Sequence, residues 1–210
     1  MDSDAANLQA ALEALSRPDL LVACRRILPE DGERLWPEEA APLRMAVPKV
    51  RRQSGAARIV ARDLMARLGH PPEAIPRTRG EPPCWPVGLV GALAHDSDFA
   101  VAAVSKTGRY RGIGIDIEPD LPLPPGLEAD ISTPQELARY TPDLLSSRLL
   151  LVIKEAVYKA VNPMDGIPLG FQDVNVDIGD MTCCTTSGWT VSIKTVTSPV
   201  ICALAVLDNA

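Results

Sequence analysis

One stretch constrains this chain more than any other. From Tyr110 to Pro119 it reads YRGIGIDIEP, an apolar run carrying Asp116 and Glu118 one residue apart. A strand sends successive side chains to opposite faces, so the two acids share a side while Ile115 and Ile117 bury on the other. Neighbouring carboxylates repel, and each raises the other's pKa unless a cation stands between them. A hard divalent ion removes that penalty, and Mg²⁺ typically takes one or two carboxylates together with substrate phosphates. A strand end that simply turns both acids to water is the other reading, and the strand alone does not choose. The two glycines begin a dinucleotide fingerprint, but the third is missing and the segment runs on as strand instead of opening a helix, which excludes a Rossmann site.

A second constellation lies at KEAVYKA, Lys154 to Ala160. Glu155 and Lys159 stand four apart on a helix and share a face, with Lys154 turned away from it. An ordinary ion pair on an exposed helix has the same spacing. The flanks, LLLVI before and AVY after, are strongly apolar, so this helix is mostly buried. A buried acid and lysine beside a two-carboxylate strand make a candidate metal and phosphate site.

The chain of 210 residues is 46% hydrophobic and can bury a core as one domain or two small ones. Charged residues make up 23%, which does not suggest disorder. A formal net charge of −6 argues against a general nucleic-acid binder, which needs a basic stripe. The five cysteines are an odd number without CxxC spacing or nearby histidines, which favours reduced structural thiols over a disulfide or zinc framework. The start, MDSDAANLQAALEALS, lacks the basic and apolar regions of a signal peptide. No apolar run reaches membrane length. A cytoplasmic protein with no membrane partner is the expectation.

Along the chain, helical and strand patterns alternate. Leu8, Leu12 and Leu15 mark a short amphipathic helix, and a strand is expected near Asp19–Ile27. Apolar Ala57, Val60, Ala61, Leu64 and Leu68 recur at helical spacing before Gly69, a C-terminal stop. The segments VGLVGALAH and FAVAAVS read as strands, and so do DVNVDI, GWTVSIKTV and VICALAVLD, while a proline-rich connector precedes the helix at 147–161. Each half therefore holds an amphipathic helix (51–68 and 147–161) and a later small-residue strand. This suggests two α/β lobes by duplication, 1–105 and 106–210, although chance likeness of two alanine- and valine-rich strands gives the same outline.

GIDIE (Gly114 to Glu118) followed some tens of residues later by KEAVYK (Lys154 to Lys159) resembles the signature of the surfactin/enterobactin-type 4′-phosphopantetheinyl transferases. The likeness extends to WPVGLVGALAH, to the AARIVARDLMARLG helix and to NPMDGIPLGFQDVNV, so it covers roughly residues 50 to 208. Neither signature is specific alone; with the Trp-Pro and histidine segment they are.

The resemblance implies an α+β fold of two similar, pseudo-twofold-related lobes, each a small mostly antiparallel sheet on a long helix, with the active site between them. It implies a monomeric enzyme that moves the phosphopantetheine arm of coenzyme A onto a serine of an apo acyl or peptidyl carrier protein, releasing adenosine 3′,5′-bisphosphate. By resemblance Asp116, Glu118 and Glu155 hold Mg²⁺, with Mn²⁺ as a possible substitute. Glu155 doubles as general base, and Lys159 stabilises phosphate charge. Arg58, Arg79, Lys154, Lys159 and His95 contact coenzyme A, with His95 at the 3′-phosphate. Glu136 resembles a further family acid, whereas His70 reads as loop surface. Three positions depart from the family pattern. Ala94 replaces a serine before the histidine, Ala57 replaces a glycine before Arg58, and Glu81 stands where a basic residue is usual. These departures bear on coenzyme A affinity, and they motivate the alternative of a degenerate relative that binds coenzyme A or a carrier without catalysis.

Overall fold

The computed structural model describes residues 3–78 and 80–209, which divide into two compact units, Met1–Tyr110 and Arg111–Ala210. The expected boundary lay five residues earlier, at 105/106.

The first unit opens with α1 (Ser3–Glu13), whose Leu8 and Leu12 are fully buried, and β1 (Leu20–Arg26). A 3-10 turn at Pro29–Arg34 and the short α2 (Pro37–Ala40) lead to the long α3 (Pro48–Arg67). Pro48 sits at the first helical position, where a missing N–H costs nothing. β2 (Leu89–His95) and β3 (Phe99–Lys106) complete an antiparallel sheet in the order β1-β3-β2. The central strand is covered on both faces, so Phe99–Ser105 is buried without alternation. Val60, Ala61 and Leu64 of α3 share a core with Leu89, Ala102 and Val104 of this sheet. A Cβ on Gly91 would meet the Trp85 ring at 2.8 Å, so the tryptophan and glycine of WPVGLVG are a packing pair.

The second unit contains β4 (Tyr110–Pro119) beyond its first residue, three short helices, α4 (Leu127–Ile131), α5 (Pro134–Arg139) and α6 (Pro142–Ser146), and the long α7 (Leu149–Asp165). It continues with β5 (Val174–Asp177), β6 (Thr182–Thr185), β7 (Thr190–Val196) and β8 (Val200–Asp208), in the sheet order β4-β8-β7-β6-β5. The pairs β5-β6, β6-β7 and β7-β8 are antiparallel. Ile153, Ala156, Val157 and Ala160 of α7 pack on Val174, Val191, Ala203 and Ala205. The architecture is α+β, with a small antiparallel sheet and a long helix in each unit. α7 runs past its expected end at 161 to Gly166, which takes the left-handed conformation with φ 65°. The helices of the proline-rich connector were not expected, yet TPQE and TPD carry the caps of α5 and α6. Thr133 and Thr141 each accept a backbone N–H three residues on, and Glu136 returns a bond to the Thr133 N–H.

β4 meets α7 through its glycines. A Cβ on Gly114 would stand 1.8 Å from the Ala156 carbonyl oxygen, and one on Gly112 would stand 2.2 Å from that of Ala160. Only a strand without side chains at these two positions lets the helix backbone come so near. Gly112, Gly114, Asp116 and Glu118 share one strand parity, so the face that seats the helix also bears the acids.

Buried ion pairs tie the irregular segments to the long helices. In the first unit Glu39, 1% exposed, accepts from Arg62 Nη1 at 2.8 and 3.0 Å and from the Ile75 and Trp36 N–H groups. In the second, Lys154 and Glu136 are each 1% exposed and pair at 2.7 Å. Lys154 Nζ also donates to the Ile131 and Phe171 carbonyls, and Glu136 also accepts from the Thr133 and Val176 N–H groups. The pair thus joins α4, α5, α7, β5 and the turn before β5. Burial pulls the Lys154 pKa down and the Glu136 bond opposes it.

Two predictions follow from this packing. Gly114→Ala is expected to lower stability by about 1–3 kcal/mol, the usual cost of overpacking, read as a lower urea midpoint with an unchanged slope; an unchanged midpoint would show that strand and helix separate freely. Lys154→Met is expected to cost about 3–5 kcal/mol by leaving Glu136 buried without its cation. Adding Glu136→Leu should recover part of that loss, and the Thr133 and Val176 N–H groups left without an acceptor should keep the double variant about 1–3 kcal/mol below wild type.

Candidate active site

Arg148 opens α7, and Glu155 and Lys159 follow at intervals of seven and four residues, two turns and one turn on. These spacings place all three along a single stripe of the helix. The opposing side chains are the acids of β4. Lys159 Nζ donates to Asp116 Oδ1 at 2.6 Å and to the Ile115 carbonyl at 3.2 Å. Arg148 Nη1 donates to Glu118 Oε2 at 2.6 Å, and its Nε to the Leu121 carbonyl at 3.1 Å. Asp116 is buried, while Glu118, Glu155, Lys159 and Arg148 are half-buried.

Glu155 lies within reach of both β4 charges. Its pKa is raised, first by burial and then by the Asp116 charge, with Glu118 adding and Lys159 opposing. Glu155 therefore senses both other acids through space, as a three-carboxylate site requires.

Among the described residues no three His, Cys, Asp or Glu side chains stand ready to hold a metal ion; Asp116 and Glu118 are engaged by Lys159 and Arg148 instead. The donor set itself fits a hard divalent cation. It consists of three carboxylates, and their mutual repulsion is what such an ion relieves.

Beside Glu155 a cavity of about 320 Å³ opens in the second unit, lined by Lys154, Tyr158, Leu169, Phe171 and Val174 among others. Its walls are mostly apolar, and Glu155 is among the residues that line it.

The remaining expected residues fall differently. Lys154 lines that cavity, but its ammonium donates to Ile131, Glu136 and Phe171 within the protein. Those three bonds use all the protons of its ammonium within the protein. Arg58 is 5% exposed, with Nε on the Ile75 carbonyl and Nη1 on the Ser54 carbonyl and hydroxyl. It secures the loop after α3, and burial pulls its pKa down, with Glu39 opposing and Arg62 and Arg77 adding. Glu136 is the buried partner of Lys154 and stands apart from the Asp116 acids. Arg79 lies outside the described residues.

His95 ends β2 and is exposed. The turn after it is fixed by Asp96, whose Oδ1 accepts the Asp98 and Phe99 N–H groups and whose carbonyl accepts from Gln53. Ala94 is buried at 5% exposure, as alternation along the strand demands. Glu81 is exposed, and its carbonyl accepts Arg77 Nε at 2.7 Å. Arg148 is the residue that the sequence reading missed. The available signal was its place seven residues before Glu155, the separation that returns a helix to the same face.

Comparison with known proteins gives this geometry a family. Residues 37–105 match the family model described as the 4′-phosphopantetheinyl transferase N-terminal domain, and residues 112–197 match that of the 4′-phosphopantetheinyl transferase superfamily. The chain is 40% identical over 150 residues to 4′-phosphopantetheinyl transferase Svp of Streptomyces mobaraensis, covering 69% of this chain and 61% of that protein. It is 40% identical over 151 residues to Npt of Nocardia iowensis, covering 70% and 68%. To PptT of Mycobacterium tuberculosis it is 37% identical over 158 residues, covering 73% and 68%. The chain thus spans less than two thirds of the length of the Streptomyces relative and just over two thirds of the other two. Among the described residues no helix is long and apolar enough to cross a membrane. With both family models matched in order, and with relatives of this identity and coverage, the chain belongs to the 4′-phosphopantetheinyl transferase superfamily.

Proposed function

We propose that this protein transfers the 4′-phosphopantetheine arm of coenzyme A to a serine hydroxyl of an apo carrier protein. The observation that carries the reading is the stripe of α7 set against β4, which gathers Asp116, Glu118, Glu155 and Lys159 at one place. The new bond joins the serine oxygen to the phosphorus that bears pantetheine. The bond that breaks is the pyrophosphate bridge, and adenosine 3′,5′-bisphosphate leaves.

Asp116, Glu118 and Glu155 are the residues to hold a divalent cation, Mg²⁺ or Mn²⁺. Bound there, it would supply Lewis-acid neutralisation of the pyrophosphate charge. Phosphoryl transfer depends on alignment and charge neutralisation more than on covalent help, which suits a site built of acids and a lysine. Glu155, with its raised pKa, is the group to accept the serine proton, directly or through a water. Lys159 is positioned to exchange its contact with Asp116 for one with a phosphate oxygen. The apolar cavity beside Glu155 suits the pantetheine arm in size and lining. His95, exposed at the end of β2, is proposed to hold the 3′-phosphate. A cytoplasmic, monomeric enzyme is the setting this reaction suits.

The test mixes the purified protein with Mg²⁺, coenzyme A and a panel of apo carrier proteins, read by intact mass. Wild type is expected to add one arm to at least one carrier. Asp116→Ala is expected to abolish transfer with the fold intact, and Glu155→Gln to lose turnover far more than coenzyme A affinity. A wild type that binds a carrier but leaves every mass unchanged would make the protein a binding relative without catalysis.

The role of His95 has its own test. Wild type should prefer coenzyme A over dephospho-coenzyme A, and His95→Ala should erase roughly a tenfold to hundredfold part of that preference, the usual range for a charge-assisted contact. Equal discrimination by both proteins would make the histidine structural.

A further inference from the structure

Arg148 belongs to neither motif, yet it joins the two elements that bear the acids. It caps the start of α7, and the Val152 N–H donates to its carbonyl, which fixes its backbone in the first turn. Its guanidinium reaches the end of β4 and the segment just past it with two separate donors. Nη1 goes to Glu118 Oε2 at 2.6 Å, and Nε to the Leu121 carbonyl at 3.1 Å, three residues past the acid. A planar guanidinium can serve both acceptors at once in one rigid fork, which a lysine ammonium at the end of a flexible stem does not reproduce. The segment it grips is fixed on the other side as well, by the Leu123 N–H donating to the Ser146 carbonyl at 2.7 Å.

We propose that Arg148 is a positioning residue for Glu118. By holding Oε2 against the helix start it fixes the carboxylate rotamer and leaves Oε1 as the oxygen offered to a divalent cation. The inference rests on the reading of Asp116, Glu118 and Glu155 as metal ligands. Two effects of Arg148 oppose each other. Its charge repels an incoming cation, although the Arg148 and Glu118 side chains are 22% and 33% exposed and solvent screens part of that repulsion. Outer partners that orient a metal ligand are typically worth about 10–100-fold in affinity. On this proposal orientation outweighs the screened repulsion, and loss of Arg148 weakens metal binding.

The experiment titrates Mn²⁺ into the full chain without coenzyme A and reads free Mn²⁺ by electron paramagnetic resonance. Arg148→Met is expected to bind Mn²⁺ at least about tenfold more weakly than wild type. Arg148→Lys keeps the charge and loses the fork, and it is expected to be weakened by a similar factor; it also serves as the test should the Met variant fail to fold. In a Glu118→Gln background Arg148→Met should cause little further loss, because its action runs through Glu118. Mn²⁺ affinity in Arg148→Met or Arg148→Lys equal to or tighter than wild type overturns the proposal. An undiminished further loss in the Glu118→Gln background overturns it as well. The transferase reading fails separately: a wild type that modifies no carrier sinks that reading whatever the Mn²⁺ titrations give, whereas a wild type that modifies carriers while its Arg148 variants bind Mn²⁺ normally sinks only the positioning role.

Discussion

The close seating of β4 on α7 is the contact on which the site depends. Gly112 and Gly114 leave space that any Cβ would fill, at 2.2 and 1.8 Å from the Ala160 and Ala156 carbonyl oxygens. Past the glycines the same strand face continues with Asp116 and then Glu118, now with room for side chains. The helix reaches these two positions with Lys159 and Arg148, and Glu155 stands on the stripe between them. Backbone approach at the glycines thus sets the distance at which acids and cations meet, and the site inherits its geometry from a packing contact.

Buried charge has a different purpose here. Lys154 with Glu136, and Arg62 with Glu39, sit where ionised groups are costly unless every proton and lone pair is met. In both cases the surplus capacity goes to backbone groups of loops, short helices and an edge strand: Ile131, Thr133, Phe171 and Val176 in one unit, Trp36 and Ile75 in the other. Loops and short helices have few backbone bonds of their own, so a buried charge on a long helix supplies the partners they lack. The turn at Phe171, which lines the cavity beside Glu155, is held in this way.

Lys154 and Glu155 are adjacent in sequence and opposite in fate. A helix turns 100° per residue, so one of the two enters the interior while the other faces the β4 acids. The motif KEAVYK is therefore half structural and half chemical, and the sequence alone does not divide it. Arg58 makes the same point in the first unit: its helical position was legible, but its bonds to Ile75 and Ser54 follow from where the loop after α3 returns. The short helices α5 and α6 were legible in principle through their Thr-Pro caps, but runs of five or six residues leave too little periodicity to outweigh the prolines.

By itself the sequence determined the alternation of helical and strand patterns, the long helices, the strand parity that puts Asp116 and Glu118 on one side, and the spacing that puts Glu155 and Lys159 on another. These are local matters, fixed by periods of 2 and 3.6 residues and by caps within a few residues of each end. Tertiary structure alone decided that Lys159 meets Asp116, that Arg148 meets Glu118, and that Lys154 turns inward to Glu136 across 18 residues of chain. Such pairings depend on which backbones can approach most closely, and that is settled by the absence of a Cβ on two glycines and by the burial cost of each charge. Neither quantity belongs to any one segment read alone.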